Sequence, residues 1–247
     1  MSKLADAIRR SQRVEAGPIG FGAARPAPKP SMLTGYAGLL AGAAAAHAAG
    51  AEVVLVDARA GGLAAADVKK LRGQAGDSPL GAWASVADAE AAKSLREAGL
   101  DFLVVEADST PASVLLDDQL GYVLALTGPF DEHFLRSLEP LAFEALLLTE
   151  PPDTLTVARQ IELTRVSALA RKPLLAFAEP GITGDDLQCL RAAGIVGVLV
   201  SEDAVSAVKE RVAALPPRRG RRDERAVVSL PRGPVAAAAD EDDDDDD

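Results

Sequence analysis

The sequence holds a single cysteine, Cys189, so it can form neither an intramolecular disulfide nor a cysteine metal cluster. Aromatic residues are 4% of its 247 residues, while hydrophobic residues are 48%, so a sizeable core has to be built mainly from Leu, Val and Ala. No stretch approaches about 18 charge-free, strongly apolar residues. The opening MSKLADAIRR has no apolar run of the signal-peptide kind. Both absences predict a soluble, cytoplasmic protein with no membrane association. The apolar run at 36–50 is short and rich in Ala and Gly.

Several catalytic signatures are also missing. There is no Ser-His-Asp set, no GxSxG elbow, no Walker loop and no GxGxxG. PIGFG at 18–22 has two glycines without the dinucleotide spacing. The two histidines, His47 and His133, both fall in predicted helices and read as surface or packing residues. Cys189 also falls in a predicted helix and reads as a core residue rather than a nucleophile.

Charge is unevenly distributed. The formal net charge is −11, but residues 240–247 are all acidic, and removing those eight charges leaves −3. The part expected to fold is therefore only mildly acidic, which says little about a ligand. The tail at 216–247 has no periodicity, carries Arg218, Arg219, Arg221, Arg222 and Arg225, and ends in the acidic run. It cannot bury enough apolar surface to order itself and is expected to be disordered. The acidic run would compete for those arginines, and few aromatics are available to stack on bases, which argues against nucleic acid as a partner.

What the chain does have is a repeat. AGAEVVLVDA at 49–58 recurs as AGLDFLVVEA at 98–107 and AGIVGVLVSE at 193–202, with a weaker copy, LAFEALLLTE, at 141–150. Each copy follows an amphipathic stretch and gives a buried aliphatic run ending in a polar residue. That is the pattern of a helix returning into a parallel strand buried on both faces. The strand-end polar residues are Asp57, Glu106, Thr149 and Ser201.

A short amphipathic helix is predicted over 2–13, capped by Ser2. Strands are predicted at 17–22, 52–57, 80–84, 102–106, 122–126, 145–149, 174–178 and 197–200. Helices are predicted at 32–49, 63–75, 86–98 (capped by Ser85), after Pro111, and at 130–138, 153–170, 183–193 and 203–215. Strict alternation of eight strands and eight helices requires a parallel sheet with right-handed crossovers. It points to a closed (β/α)8 TIM barrel, an α/β fold, rather than an open doubly wound sheet. The expected division is an N-terminal helix at 1–16, the barrel at 17–215 and the tail at 216–247.

A barrel of this kind carries its site at the carboxyl ends of the strands. The sequence puts Asp57, Arg59, Ser85, Glu106, Asp108, Thr127, Thr149, Glu150, Glu179, Ser201 and Glu202 there, with Arg25 and Lys29 in the first loop. Such a carboxylate-lined mouth suits general acid–base work by Asp57, Glu106, Thr149 and Glu179. It also suits a divalent cation such as Mg or Mn, for which Glu106 and Glu150 are the leading ligands. Arg25, Lys29, Arg59, Gly181 and Ser201 are the candidate substrate-binding residues. The plain alternative is that strand-end acids cap the helices that follow.

The stretch AEPGITGDDLQCLRAAGIVGVLVSEDA at 178–204 resembles the last two units of aldolase-type, phosphate-binding barrels, especially the indole-glycerol-phosphate synthase type. The resemblance implies a phosphate cradle near Gly181 and Ile182, with Glu179 at an acidic position of the motif. Two residues depart from it: Pro180 has no N–H to offer, and Ser201 stands where glycine lets the backbone approach phosphate. The catalytic lysines of that group are also missing, since no Lys ends a strand and Lys172 precedes strand seven. This argues against Schiff-base chemistry. The expected function is a small-molecule lyase or isomerase acting at the mouth. The alternatives are a degenerate, non-catalytic barrel used for binding or scaffolding, and an FMN-dependent oxidoreductase with Arg25 or Lys29 near the flavin. The oligomeric state, a homo-oligomer included, is open.

Overall fold

The computed structural model describes residues 2–12, 32–150 and 155–216. Eight parallel strands close into a barrel: β1 (Leu33–Gly38), β2 (Val53–Asp57), β3 (Leu80–Trp83), β4 (Phe102–Glu106), β5 (Gly121–Leu126), β6 (Ala145–Leu148), β7 (Leu174–Phe177) and β8 (Ile195–Val200). Each strand pairs with the next, and β1 closes the ring on β8 with Gly35 opposite Leu199. The helices are α1 (Lys3–Gln12), α2 (Ala43–Ala48), α3 (Ala65–Ala75), α4 (Ala89–Glu97), α5 (Glu132–Ser137), α6 (Val157–Ala170), α7 (Gly184–Ala192) and α8 (Val205–Ala213). The expected (β/α)8 TIM barrel is therefore the fold.

The first unit differs from the sequence reading. β1 is Leu33–Gly38, inside the stretch expected to be helix, and α2 begins only at Ala43. The strand expected at 17–22 lies outside the described residues. The Ala/Gly-rich composition of 32–49 hides a period-two pattern in which Leu33, Gly35 and Ala37 face inward. Glycine suits position 35, because a Cβ there would lie 2.5 Å from Leu199 Cδ2 on the neighbouring strand β8. Two smaller differences concern helix starts. α4 is capped not by Ser85 but by Asp88, whose side chain accepts from the Ala91 N–H at 2.8 Å. The unit after β4 carries only a 3-10 helix, Ala112–Leu116. Tyr122 Oη donates to the Val114 carbonyl of that turn, and burial pushes the phenol up to about 12.

The core has two shells. The outer one packs the outward strand residues Val54, Leu103, Leu146 and Val198 under the helices. The inner one fills the barrel with Val53, Leu55, Trp83, Phe102, Val104, Leu147, Leu175 and Leu199, and it includes Leu4, Ala7 and Ile8 of α1. α1 closes the end where the strands begin. Ser2 caps it through the Ala5 N–H, and both Ser2 N–H and Ser2 Oγ bond to Glu144, just ahead of β6. Burying side chains such as Leu4 and Ile8 contributes about 1.5–3 kcal/mol each.

The glycines of the repeat turn each helix into its strand. Gly50, Gly99 and Gly194 have φ of 93°, 111° and 103°, a region other residues enter at a cost of about 1–3 kcal/mol. At Gly194 a Cβ would also lie 2.7 Å from Ser167 Cβ. Gly194→Ala is therefore expected to lower Tm by at least about 2–4 °C in a domain of this size, measured by thermal unfolding.

Candidate functional site

Alternation along each strand decides which side chains reach the mouth. The inward series Val53–Leu55 ends in Asp57, and Phe102–Val104 ends in Glu106. The same step carries Ala145–Leu147 to Thr149, Leu175–Phe177 to Glu179, and Leu199 to Ser201. Glu150 is one residue out of phase and exposed.

The structure joins the ends of β2, β3 and β4 into one cluster. Arg59 donates to Asp57 from Nε to Oδ1 at 3.0 Å and from Nη2 to Oδ2 at 2.6 Å, a two-pronged ion pair. Its guanidinium lies over the Trp83 ring, 3.8 Å from the centroid. Trp83 Nε1 donates to Glu106 Oε1 at 3.1 Å, and Ser109 Oγ donates to Glu106 Oε2 at 2.9 Å. Below the ring, Phe177 stacks on Trp83 at 6.2 Å with planes 10° apart. A small cleft opens here, lined by Arg59, Trp83, Ser85, Glu106, Ser109 and Thr110. Arg59's hydrogen bonds, which outweigh partial burial, hold the Asp57 carboxyl below the usual carboxylate range. Asp57 in turn raises the Arg59 guanidinium.

The other candidate residues stand apart from this cluster. Thr149 Oγ1 meets Thr127 Oγ1 at 2.9 Å and donates to the Leu126 carbonyl at 3.0 Å. Ser201 Oγ donates to Asp203 at 2.6 Å. Glu179 is exposed, and Gly181 lies in the β7–α7 loop with open space where its Cβ would be. Arg25 and Lys29, the residues on which the flavin alternative rests, lie outside the described residues. Among the described residues, no group of three or more His, Cys, Asp or Glu is arranged to hold a metal ion. Of the two cation ligands the sequence suggested, Glu106 lies at the inward end of β4, while Glu150, one residue out of phase with Thr149, is exposed.

Strand-end acids do not act as helix caps here. The caps of α4, α5, α6 and α7 are Asp88, Asp131, Thr156 and Thr183. Sequence reasoning missed Trp83 and Phe177 as site residues. Trp83 is the chain's one tryptophan, at a strand end in a sequence poor in aromatics, and that was the available signal.

No protein-family model and no curated protein matches the chain. Solved structures do. A 3-keto-L-gulonate-6-phosphate decarboxylase from Vibrio cholerae superposes with TM-score 0.59 at 17% identity, covering 75% of this chain and 99% of that one. A mutant tryptophan synthase alpha-subunit from Pyrococcus furiosus gives 0.57 at 13%, covering 75% and 97%. An orotidine 5'-phosphate decarboxylase from Pyrococcus horikoshii gives 0.55 at 12%, covering 73% and 100%. The chain shares their (β/α)8 barrel fold. In this barrel Lys172 belongs to the face opposite the mouth, where its Nζ donates to the Leu141 carbonyl at 2.7 Å and burial lowers its pKa. No helix of the described residues is long and apolar enough to cross a membrane.

Proposed function

We propose that this barrel is a small-molecule lyase or isomerase whose reaction takes place in the cleft between Arg59 and Glu106. The observation that carries the reading is the Arg59–Trp83–Glu106 arrangement, in which one aromatic ring holds a guanidinium on its face and a carboxylate on its Nε1. Arg59 would hold an anionic oxygen of the substrate. Glu106 would move a proton at the neighbouring carbon, the usual division of labour in proton abstraction next to a carbonyl. Asp57 is a positioning residue acting through Arg59, and the hydroxyls of Ser85 and Ser109 can turn toward a bound oxygen.

Hydrogen–deuterium exchange of small 2-oxo and hydroxy acids, followed by NMR in D2O, tests the reading. Exchange above the buffer rate that is lost in Glu106→Gln supports it. No exchange with any of them, or exchange untouched by Glu106→Gln, overturns it.

A second reading, a non-catalytic binding barrel, is favoured by the mutual pairing of the mouth groups: Asp57 with Arg59, Thr127 with Thr149, and Ser201 with Asp203. Under that reading ligands raise Tm without being exchanged.

The Asp57–Arg59 pair also predicts a pH effect. Asp57 is lowered in the folded state, so its contribution to stability is present above the unfolded carboxylate value of about 3.9 and is lost as pH falls through the folded value. Because the pair is partly exposed, solvent screening keeps the effect small. Thermal unfolding followed from about pH 6 down into the acid limb, below the unfolded carboxylate value of about 3.9, is expected to show a shallower fall in Asp57→Asn than in the parent chain.

A further inference from the structure

The described end of the mouth beyond β7 and β8 offers carboxylates where a phosphoryl group would need N–H donors. Barrels of this fold frequently hold a phosphate past those two strands, by loop N–H groups and the N-terminus of a short extra helix. Here the corresponding elements are the loop 178–183 before α7 and the 3-10 helix Glu202–Ala204 after β8.

At the start of α7 two of the N–H donors, those of Thr183 and Asp186, are already taken. Thr183 Oγ1 accepts the Asp186 N–H at 3.1 Å, and the Asp186 carboxylate accepts from Thr183 N at 3.3 Å and Thr183 Oγ1 at 2.6 Å. The Ile182 N–H is turned back onto the Glu179 carbonyl at 3.0 Å. Pro180 has no N–H at all. Past β8 the pattern repeats: Ser201 Oγ is bound to Asp203, and the Ala204 N–H to the Ser201 carbonyl at 3.1 Å. Glu202 turns toward the end of β1, where its charge adds to burial in pushing the Tyr36 phenol up. Arg211, whose Nη1 reaches this loop, donates to the carbonyls of Pro180 and Ile182 at 2.9 and 3.0 Å.

We infer that the site admits unphosphorylated ligands, and that Asp186 and Asp203 are specificity-determining residues that keep a phosphoryl group out. The inference rests on the proposed site in the Arg59–Glu106 cleft and deepens it by naming the substrate class. The ligand is a small organic acid or carbonyl compound whose anionic group meets Arg59 and whose far end, toward β7 and β8, carries no phosphate. Two effects act together. The N–H groups of Thr183, Asp186, Ile182 and Ala204 are bonded within the chain, and the carboxylates that these two elements carry (Asp185, Asp186, Glu202 and Asp203) disfavour a dianion. Gly181 is present in the sequence, but the elements around it carry carboxylates.

Calorimetric titration of the full chain with inorganic phosphate and with D-ribose 5-phosphate tests this. No saturable heat is expected with either probe up to several millimolar. A chain carrying Asp185→Asn, Asp186→Asn, Glu202→Gln and Asp203→Asn is expected to gain at least tenfold in affinity for both, with circular dichroism checking that it is folded. The single variant Asp203→Asn, which disturbs no helix cap, should move in the same direction. Saturable binding of either probe to the parent chain, lost on Gly181→Trp, overturns the inference. So does a folded quadruple variant with no gain. Because the probes are read by binding, this result is independent of Glu106, and failure of the proton-transfer reading shows separately in the exchange assay.

Discussion

Glu106→Gln is expected to reduce any proton-exchange activity of the barrel by about 10²- to 10⁴-fold while leaving its melting temperature close to that of the parent. The substitution is nearly isosteric. The amide oxygen can still accept the Trp83 Nε1–H, and Ser109 Oγ, which donates to the carboxylate, can rotate to accept from the new amide nitrogen. The loss is thus confined to the proton-carrying group. Steady-state exchange rates together with thermal melts separate the two effects. A large drop in Tm would mean that Glu106 acts mainly as a hydrogen-bond partner of Trp83.

The second large effect is on stability. Trp83 is nearly buried, packs with Val104 and Phe177 inside the ring, and carries Arg59 on its outer face. Trp83→Ala leaves a large cavity at the junction of core and site and is expected to cost about 3–5 kcal/mol. In a domain of this size that is roughly a 10 °C fall in Tm. Trp83→Phe keeps most of the packing and removes only the Nε1–H donor, so it should cost about 1 kcal/mol. If the cleft works as proposed, the phenylalanine variant also loses activity beyond its loss of stability, because Glu106 is then held by Ser109 alone. Denaturant unfolding of both variants, followed by circular dichroism, checks the order.

The barrel could be read from the repeat because helix, glycine turn and buried strand are local events that recur at Gly50, Gly99 and Gly194. The first strand could not. Its inward positions include Gly35 and Ala37, and at Gly35 the space is filled by Leu199 of the neighbouring β8, a reason that exists only after closure. The same divide runs through the site. Asp57, Glu106 and Thr149 announce themselves as polar ends of apolar runs, and period-two alternation is enough to aim them. Which of them meet is a matter of pairing between strands, with partners such as Thr127 and Thr149 or Trp83 and Glu106 lying 22 and 23 residues apart. Trp83 looks like a core residue in LGAWA until β4 brings Glu106 beside its Nε1. One local constraint was legible: adjacent positions Thr149 and Glu150 cannot both face inward.

The closure of the barrel's far end by α1 has a practical consequence. Leu4, Ala7 and Ile8 enter the ring as a cork, and Ser2 latches it to Glu144. A cork that is continuous with the ring only through chain ahead of β1 can be cut away and handed back. A chain lacking residues 2–12 should melt lower, and a synthetic peptide of that sequence added in excess should restore the loss by mass action. The barrel would then serve as a two-piece reporter whose reassembly is read at the end opposite its mouth.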